Sequence, residues 1–256
     1  MFIVVLLALV QGVAEFLPIS SSGHLVTIGA LFGQLPDEPT LEIILHAGTL
    51  GSILVIYWRR IVDLLSSDRR VIPLLVVGTI PAAIVGVTIK SQLTWLLRSP
   101  ILAAAMLLVT AAMLIVLGRL AARDRSYQTL SYGSAVLIGC FQAFAVLPGI
   151  SRSGSTILGG RLMGLSDDDS VTFSFLLAIP AIGGATVLTL KDLLDGEGAA
   201  IFTGGQLAIG AAVSFLVGIL ALRWLIAWSK RGQLHWFAWW CIPFALFVLL
   251  RFGGTA

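Results

Sequence analysis

The sequence predicts an all-α protein that crosses a membrane several times, and three observations support this. Hydrophobic residues make up 58% of the 256 residues and charged residues only 11%, and the mean hydropathy is +1.01. Soluble globular proteins carry about 25% charged residues, so this chain has too little charge to cover a water-facing surface. The apolar runs are also long and continuous, whereas a transmembrane β-barrel would show alternating segments of about ten residues.

The same composition excludes several other classes of protein. The net charge of +3 is small and spread along the chain, which is not typical of a protein that binds nucleic acid phosphates. A disordered chain has low hydrophobicity, unlike this one. The two cysteines, Cys140 and Cys241, stand far apart in apolar runs, so we interpret them as small apolar side chains rather than a disulfide or a metal motif.

Six apolar stretches are long enough to span a membrane, because a spanning helix needs about 20 apolar residues. They cover residues 41–58, 72–90, 101–118, 171–190, 205–227 and 234–251. We therefore expect six transmembrane helices in a single membrane domain that covers residues 1–256.

Two further stretches, residues 2–33 and 132–164, begin apolar but break at a proline and a cluster of serines. Only about ten residues follow each break, which is too few for a second crossing. We therefore predict two re-entrant helical hairpins, each of which enters and leaves the membrane on one side. Non-helical backbone survives at membrane depth only where protein or a wet cavity surrounds it, so the breaks indicate a polar cavity.

The two breaks resemble each other, which indicates an internal repeat over about 1–120 and 130–256. The segment Leu17-Pro-Ile-Ser-Ser-Ser-Gly23 matches Leu147-Pro-Gly-Ile-Ser-Arg-Ser-Gly154 once one glycine is inserted. The positions that continue the alignment are Leu31 with Leu162, Gly33 with Gly164, Gly78 with Gly210, and Gly86 with Gly218. Each repeat holds three crossings, an odd number, so the second copy must be inverted. Inverted repeats place their substrate sites near the bilayer midplane.

Basic residues in the loops predict the orientation of the chain. One side of the membrane carries Lys90, Arg98 and Lys191 beside acidic residues, and the other side carries nine basic residues. The nine are Arg59, Arg60, Arg69, Arg70, Arg119, Arg123, Arg125, Lys230 and Arg231. This second side should face the cytoplasm, so both termini and the first hairpin should face outward.

The first hairpin carries side chains that can act on a substrate. Gln11 and Glu15 are four residues apart and share one helix face, and an ionisable residue within an apolar run marks a functional site by default. A structural carboxyl, kept neutral or paired with Arg152, is the alternative. Ser21 and His24 lie at the break, where a hydroxyl beside an imidazole forms the minimal activated nucleophile.

The second hairpin presents Arg152 among small hydroxyl residues at the start of a helix, which is typical of a phosphate site. A guanidinium binds phosphate oxygens with two parallel hydrogen bonds, and a helix N-terminus adds free N–H groups. The neighbouring hydroxyls are those of Ser151, Ser153, Ser155 and Thr156, and we expect Ser151, Ser153 and Thr156 to bind the substrate together with Arg152. The alternative is an arginine that only neutralises a buried carboxylate.

A carboxylate near a phosphate requires an explanation, since the two groups repel each other unless a metal ion or a proton intervenes. Metal-bridged phosphate sites use one or two carboxylates plus substrate oxygens. Glu15, with Gln11, therefore either binds a divalent cation or orients His24 as a base. The residues leave both interpretations open.

Gln11-Gly-Val-Ala-Glu-Phe-Leu-Pro-Ile-Ser-Ser-Ser-Gly-His24 and Pro148-Gly-Ile-Ser-Arg-Ser-Gly-Ser-Thr156 resemble the two motifs of the undecaprenyl-diphosphate phosphatase family, the bacitracin-resistance type. The likeness covers nearly the whole chain. It implies an acid anhydride hydrolase of the inner (plasma) membrane that converts undecaprenyl diphosphate to the monophosphate and recycles this carrier for cell-wall (peptidoglycan) synthesis. It also implies support by magnesium or calcium and a site made of Glu15, Ser21, His24, Ser151, Arg152 and Thr156.

Gln11 stands where many family members have glutamate, which weakens the argument for a metal site with two carboxylates. In the working mechanism Ser21 attacks a phosphate held by Arg152, with His24 as base or shuttle, and attack by water or by His24 is the alternative. A polyprenyl-phosphate transporter or flippase is the alternative function, because inverted repeats are common in transporters. The oligomeric state stays open, with a homodimer as one option.

Overall fold

The computed structural model describes residues 1–32, 39–121, 123–194 and 202–253, and these residues form helices without any β-strand. The predicted all-α class is therefore confirmed. Gly33, one of the aligned repeat positions, lies outside the described residues. The α-helices are α1 (Phe2–Ala14), α2 (Ser21–Leu31), α3 (Pro39–Ile56), α4 (Trp58–Leu65), α5 (Val71–Gln92), α6 (Pro100–Arg119), α7 (Tyr132–Phe144), α8 (Arg152–Leu162), α9 (Asp167–Leu194), α10 (Gly204–Ser229) and α11 (Ala238–Phe252).

Within the described ranges, five helical segments are long and apolar enough to cross a membrane, and they coincide with five of the six predicted spans. They are formed by α5, α6, α9, α10 and the segment Leu234–Phe252, which contains α11. The predicted span at residues 41–58 differs, because α3 and α4 pass the same test only together and are bent by 73°. The bend precedes Arg59 and Arg60, two charged residues that are costly to keep in an apolar layer.

The helices begin where the sequence supplies local signals. Ser99, Ser131 and Thr203 accept hydrogen bonds from the free backbone N–H groups at the starts of α6, α7 and α10. Such N-caps satisfy donors that the helix itself leaves unpaired. Pro100 follows as the first residue of α6, where its missing N–H costs nothing.

Two breaks interrupt the apolar helices at the prolines. The first break, residues 15–20, joins α1 to α2, and the second break, residues 145–151, joins α7 to α8. Ser20 and Ser151 are matching N-caps, since their hydroxyls accept from the N–H groups of Gly23 (3.2 Å) and Gly154 (3.1 Å). The Ser20 backbone has a φ of +67°, a left-handed conformation that is strained for a residue with a side chain.

The two breaks lie against each other in the interior. The Gly149 N–H donates to Ser20 Oγ over 3.1 Å. A Cβ atom built on Gly154 would lie 3.3 Å from Pro18 Cβ, so the two segments approach closely. Thr110 of α6 fixes the second break from the other side, because its hydroxyl donates to the Gly149 carbonyl (2.7 Å) and accepts from the Ser151 N–H (3.0 Å).

Polar contacts join several loops at one end of the helices. Gln128, which follows α6, donates to Asp68 between α4 and α5 over 2.6 Å. The Arg161 Nε atom in α8 lies 3.1 Å from an Asp167 carboxylate oxygen at the start of α9. Lys230, at the end of α10, lies 3.9 Å from Asp168. The loops that carry most of the basic residues therefore meet at the same end of the protein.

Candidate functional site

Glu15 is the centre of a polar cluster formed by both breaks. Its Oε1 lies 2.6 Å from Arg152 Nη2, and its Oε2 accepts a hydrogen bond from the Ser21 hydroxyl over 2.8 Å. The Gln11 side-chain amide donates to the same Oε2 over 3.1 Å. The structure therefore brings together Gln11, Glu15, Ser21 and Arg152, although Arg152 is 137 residues away from Glu15 in the chain.

The local backbone explains this convergence. Glu15 follows the last residue of α1, one helical turn after Gln11, so both side chains lie on one face. Ser21 and Arg152 are the first residues of α2 and α8. In each break the N-cap serine, Ser20 or Ser151, is directly followed by the first residue of the next helix. That first residue, Ser21 or Arg152, places its polar side chain beside Glu15.

Arg152 has an unused hydrogen-bond donor within the site. Its Nη2 binds Glu15, and its guanidinium lies 5.8 Å from the centre of the Phe175 ring, which is within the range of a cation–π contact. Its Nη1 is buried and has no hydrogen-bond partner among the described residues. Buried donors are rarely left unpaired, so this N–H group is suited to bind an anionic ligand.

His24 faces away from Ser21 and toward α11. Its Nδ1 donates to the Ser20 carbonyl over 2.8 Å, and its Nε2 accepts a hydrogen bond from the Trp240 indole N–H over 3.0 Å. Its ring stacks on Phe244 with centroids 4.3 Å apart. We expected the Ser21 hydroxyl to lie beside the His24 imidazole, and the structure differs. The first turn of α2 directs Ser21 to Glu15, whereas contacts with α11 hold the His24 ring.

The hydroxyls expected to bind substrate beside Arg152 have partners within the protein. Ser151 caps α8, and its hydroxyl also lies 3.2 Å from that of Ser153. The Thr156 hydroxyl donates to the Arg152 carbonyl over 2.9 Å and lies 2.5 Å from the Ser174 hydroxyl. All are buried. The structure therefore gives these side chains contacts that shape α8 and position Arg152.

His46 is a member of the site that the sequence did not indicate. It lies in α3 with its Nε2 3.7 Å from Glu15 Oε2, and its Nδ1 donates to the Glu42 carbonyl over 2.8 Å. The only local signal is the spacing of Glu42 and His46, which can bind a metal ion but more often belongs to an interfacial acid and a hydrogen-bonded histidine. Its position beside Glu15 depends on the packing of α3 against α1, which no short motif records.

The donor groups around Glu15 can hold a divalent cation only together with further ligands. The described part of the chain contains no group of three or more His, Cys, Asp or Glu side chains placed to hold a metal ion. One carboxylate oxygen of Glu15 and the Gln11 Oε1, which is buried without a partner, are the available oxygens. Magnesium commonly binds to one or two carboxylates plus substrate phosphates, so the donor set fits a cation that binds together with a phosphate.

Comparison with known proteins identifies the family to which the chain belongs. The family model described as "Bacitracin resistance protein BacA" matches residues 4–247. A protein of Rhodopirellula baltica is 66% identical and is matched over 96% of both chains. Proteins of Desulfatibacillum aliphaticivorans and Halothermothrix orenii are each 36% identical, over 93% and 98% of this chain and 94% and 98% of their own. All three are named undecaprenyl-diphosphatase. The chain belongs to the bacitracin resistance family BacA.

Proposed function

We propose that this protein is an integral-membrane phosphatase that hydrolyses undecaprenyl diphosphate to undecaprenyl monophosphate and phosphate. The observation that carries this proposal is the contact of Glu15 with both Ser21 and Arg152, which joins a hydroxyl nucleophile to an anion-binding group. The relatives named undecaprenyl-diphosphatase support the same activity. Hydrolysis would return the lipid carrier to cell-wall synthesis.

The site suits a substrate with a lipid tail and a charged head. The polyprenyl tail can stay in the bilayer between the apolar helices, while the diphosphate reaches the breaks. The unpaired Nη1 of Arg152 then donates a charge-assisted hydrogen bond to an oxygen of the terminal phosphate, while Nη2 keeps its contact with Glu15. Ser151, Ser153 and Thr156 contribute by fixing the start of α8 around the phosphate.

In the proposed reaction Ser21 Oγ attacks the terminal phosphorus, and its proton passes to Glu15 Oε2, to which it is already hydrogen-bonded. The bond from phosphorus to the bridging oxygen breaks, and undecaprenyl monophosphate leaves after its new terminal oxygen takes the proton from Glu15. Water then cleaves the phosphoserine, which releases phosphate and restores the Ser21 hydroxyl. Arg152 stabilises the charge on the phosphoryl oxygens, since phosphoryl transfer depends mainly on positioning and electrostatics.

His24 has a supporting role in this proposal. Both of its ring nitrogens have partners, Ser20 and Trp240, which favours Ser21 or water over His24 as the nucleophile. Its bond to the Ser20 carbonyl holds the turn that precedes Ser21. We therefore propose that His24 positions the first break rather than taking the proton from Ser21.

A divalent cation such as magnesium or calcium remains part of the proposal. Glu15 and Gln11 Oε1 would hold it, and the ion would supply positive charge to neutralise the phosphate oxygens. The repulsion between Glu15 and the substrate is also reduced by Arg152, which contacts both.

We further infer an inverted repeat with six transmembrane helices and two re-entrant hairpins. Helices α1 and α7 have 13 residues each, and α2 and α8 have 11 each. The first hairpin packs through α1 on α10, and the second packs through α7 on α5, so each hairpin contacts the other half. The basic loops at one end support an inner-membrane orientation with that end in the cytoplasm and both termini outside.

Phosphate release from purified protein in detergent tests the proposed function, because transport has no meaning there. We expect release by the wild type and a loss of about 100-fold or more in Arg152→Ala and Ser21→Ala. Cys140→Ala, which lies outside the cluster, is the control and should keep normal turnover. Full turnover of Arg152→Ala would contradict the phosphate site, and full turnover of Ser21→Ala would contradict the serine nucleophile.

The same assay separates the phosphatase from the transporter alternative. A carrier requires an anion site but no hydroxyl held by a carboxylate, and the 2.8 Å contact of Ser21 with Glu15 favours the enzyme. Binding of undecaprenyl diphosphate by the wild type without any release of phosphate would contradict the phosphatase.

A further inference from the structure

His46 and Glu15 face each other across a gap that is too long for a hydrogen bond. His46 Nε2 lies 3.7 Å from Glu15 Oε2, whereas N–H···O bonds span about 2.7–3.2 Å. Two atoms that bind the same metal ion, each at about 2.1 Å from it, are separated by about 3.0 Å at a right angle and about 3.4 Å in a tetrahedral site. The separation of His46 Nε2 from Glu15 Oε2 is slightly larger, so a small shift of the His46 side chain would let both atoms bind one ion.

The other nitrogen of His46 supports a ligand role. Its Nδ1–H donates to the Glu42 carbonyl over 2.8 Å, so Nε2, which lies 3.7 Å from Glu15 Oε2, is the ring nitrogen left to bind an ion. Metal-binding histidines usually donate their second N–H to a carbonyl or carboxylate in this way. The side chain of His46 is 25% exposed, against 6% for Glu15, so an ion can reach the pair from the His46 side.

Gln11 supplies an independent observation at the same point. Its side chain is fully buried, its Nε2 donates to Glu15 Oε2, and its Oε1 has no partner. A half-turn of the amide exchanges these two atoms and brings a free oxygen ligand toward Glu15 Oε2. The carboxylate oxygen has two lone pairs, so it can bind an ion and still accept the hydrogen bond from Ser21.

We propose that His46 Nε2, Glu15 Oε2 and Gln11 Oε1 bind one divalent metal ion, and that the imidazole makes this site prefer a first-row transition-metal ion such as Mn²⁺ or Zn²⁺ to Mg²⁺. The inference rests on the proposed phosphatase site, whose cation it defines. The phosphate of the substrate completes the coordination of the ion.

The chemistry of the three groups explains the preference. Magnesium and calcium are bound almost entirely by oxygen atoms, whereas imidazole suits transition metals, whose affinities for N and O sites rise from Mn²⁺ toward Cu²⁺. Gln11 contributes no charge, so the site has one carboxylate instead of two. The imidazole nitrogen can therefore make up for the absent second carboxylate only if the bound ion is one that accepts nitrogen ligands.

Direct metal binding tests the proposal without any assay of activity. The purified protein is stripped with a chelator and titrated calorimetrically with Mn²⁺ and with Mg²⁺ alone. We expect one Mn²⁺ per chain, bound about tenfold more tightly than Mg²⁺. His46→Gln should weaken Mn²⁺ binding by about tenfold or more and remove the preference, while His235→Gln, a histidine outside the cluster, should bind as the wild type does.

Pulsed EPR of the Mn²⁺-loaded wild type provides a second readout, which detects a nitrogen ligand of the ion directly. We expect a nitrogen coupling that changes when histidine is labelled with ¹⁵N and that disappears in His46→Gln. Bound Mn²⁺ without such a coupling, or equal Mn²⁺ affinity in His46→Gln and wild type, would overturn the ligand role of His46. Either result would leave the proposed phosphatase intact if phosphate release continues with Mg²⁺, whereas no release with any ion would overturn the proposed function itself.

Discussion

At the scale of single residues, the pairing of Glu15 with Arg152 explains how a carboxylate can be kept inside an apolar protein. Removing a charge from water costs several kcal/mol unless a partner compensates for it, and the 2.6 Å contact with Arg152 provides that partner. The arginine must also leave one N–H free for substrate. A planar guanidinium can do both because its donors point in different directions.

Arg152→Lys tests this double role. Lysine keeps the positive charge but has a single ammonium group, so it can neutralise Glu15 but has no second nitrogen directed at the phosphate. We expect near-normal folding in detergent and a loss of phosphate release of about 100-fold. Measurement of the melting temperature together with turnover checks this, and a lysine variant with wild-type turnover would show that only the charge matters.

The sequence was sufficient to predict some members of the site but not all of them. Glu15, Ser21 and Arg152 stand out because charged and hydroxyl residues are rare in apolar segments, and the structure brings them together. His46 and Trp240 could not be found in this way. A histidine at the start of a span and a tryptophan near a helix end both have ordinary interfacial explanations, and only the packing of α3 and α11 places them at the site.

At the scale of helices and breaks, the position of Arg152 depends on how the second break is held. Thr110 in α6 binds both Gly149 and Ser151 and is fully buried. Its hydroxyl thereby satisfies two backbone groups of the break at once, immediately before Arg152. Helix α6 therefore acts as the support of the phosphate-binding segment.

Thr110→Val should remove this support while it preserves the size and shape of the side chain. Leaving the Gly149 carbonyl and the Ser151 N–H without partners costs about 1–3 kcal/mol, and a shift of Arg152 by about 1 Å can lower turnover by about 100-fold. Thr110→Ser, which keeps the hydroxyl, should restore most of the activity. A valine variant with normal turnover would exclude a positioning role for Thr110.

The contact of α5 with α7 depends on glycine. A Cβ atom on Gly139 of α7 would overlap the Gly78 carbonyl of α5, whereas one on Gly86 of the same helix α5 would meet nothing within 4 Å. Small residues let membrane helices approach closely. We therefore interpret Gly78 and Gly139 as the point of closest contact between α5 and α7, through which the second hairpin packs on α5.

Gly139→Ala should destabilise the protein by about 1–3 kcal/mol, because the extra methyl group forces the two helices apart. Gly86→Ala is the matched control and should be neutral. Thermal unfolding in detergent measures both. Equal melting temperatures for the two variants would show that α5 and α7 are not packed as closely as the structure indicates.

At the scale of the whole molecule, the sequence predicted the helical class and most spans correctly. The bend between α3 and α4 was missed, since hydropathy averages over the charged residues at positions 59 and 60. The contact between the breaks was expected only through the inferred repeat. The hydrogen bonds that create it, such as Gly149 to Ser20, join residues far apart in the chain and have no local signature.

The proposed orientation predicts which side of the membrane can be labelled. In a background of Cys140→Ala and Cys241→Ala, Arg231→Cys should react with an impermeant maleimide only from the cytoplasmic face. Gly253→Cys, near the C-terminus, should react only from outside. Labelling of intact cells and of inverted vesicles measures this. The reverse pattern would contradict the orientation that the basic loops indicate.

The most direct test of the central claim is whether the two breaks touch in the folded protein. Pro18→Cys with Gly154→Cys, in the same cysteine-free background, should form a disulfide on oxidation, because a Cβ atom at position 154 would lie 3.3 Å from that of Pro18. A shift of a few tenths of an ångström brings this separation into the range of about 3.5–4.5 Å that disulfides show. Pro18→Cys with Gly86→Cys is the control pair. Mass spectrometry should find the cross-linked peptide only in the first pair, and two free thiols there would contradict a shared site.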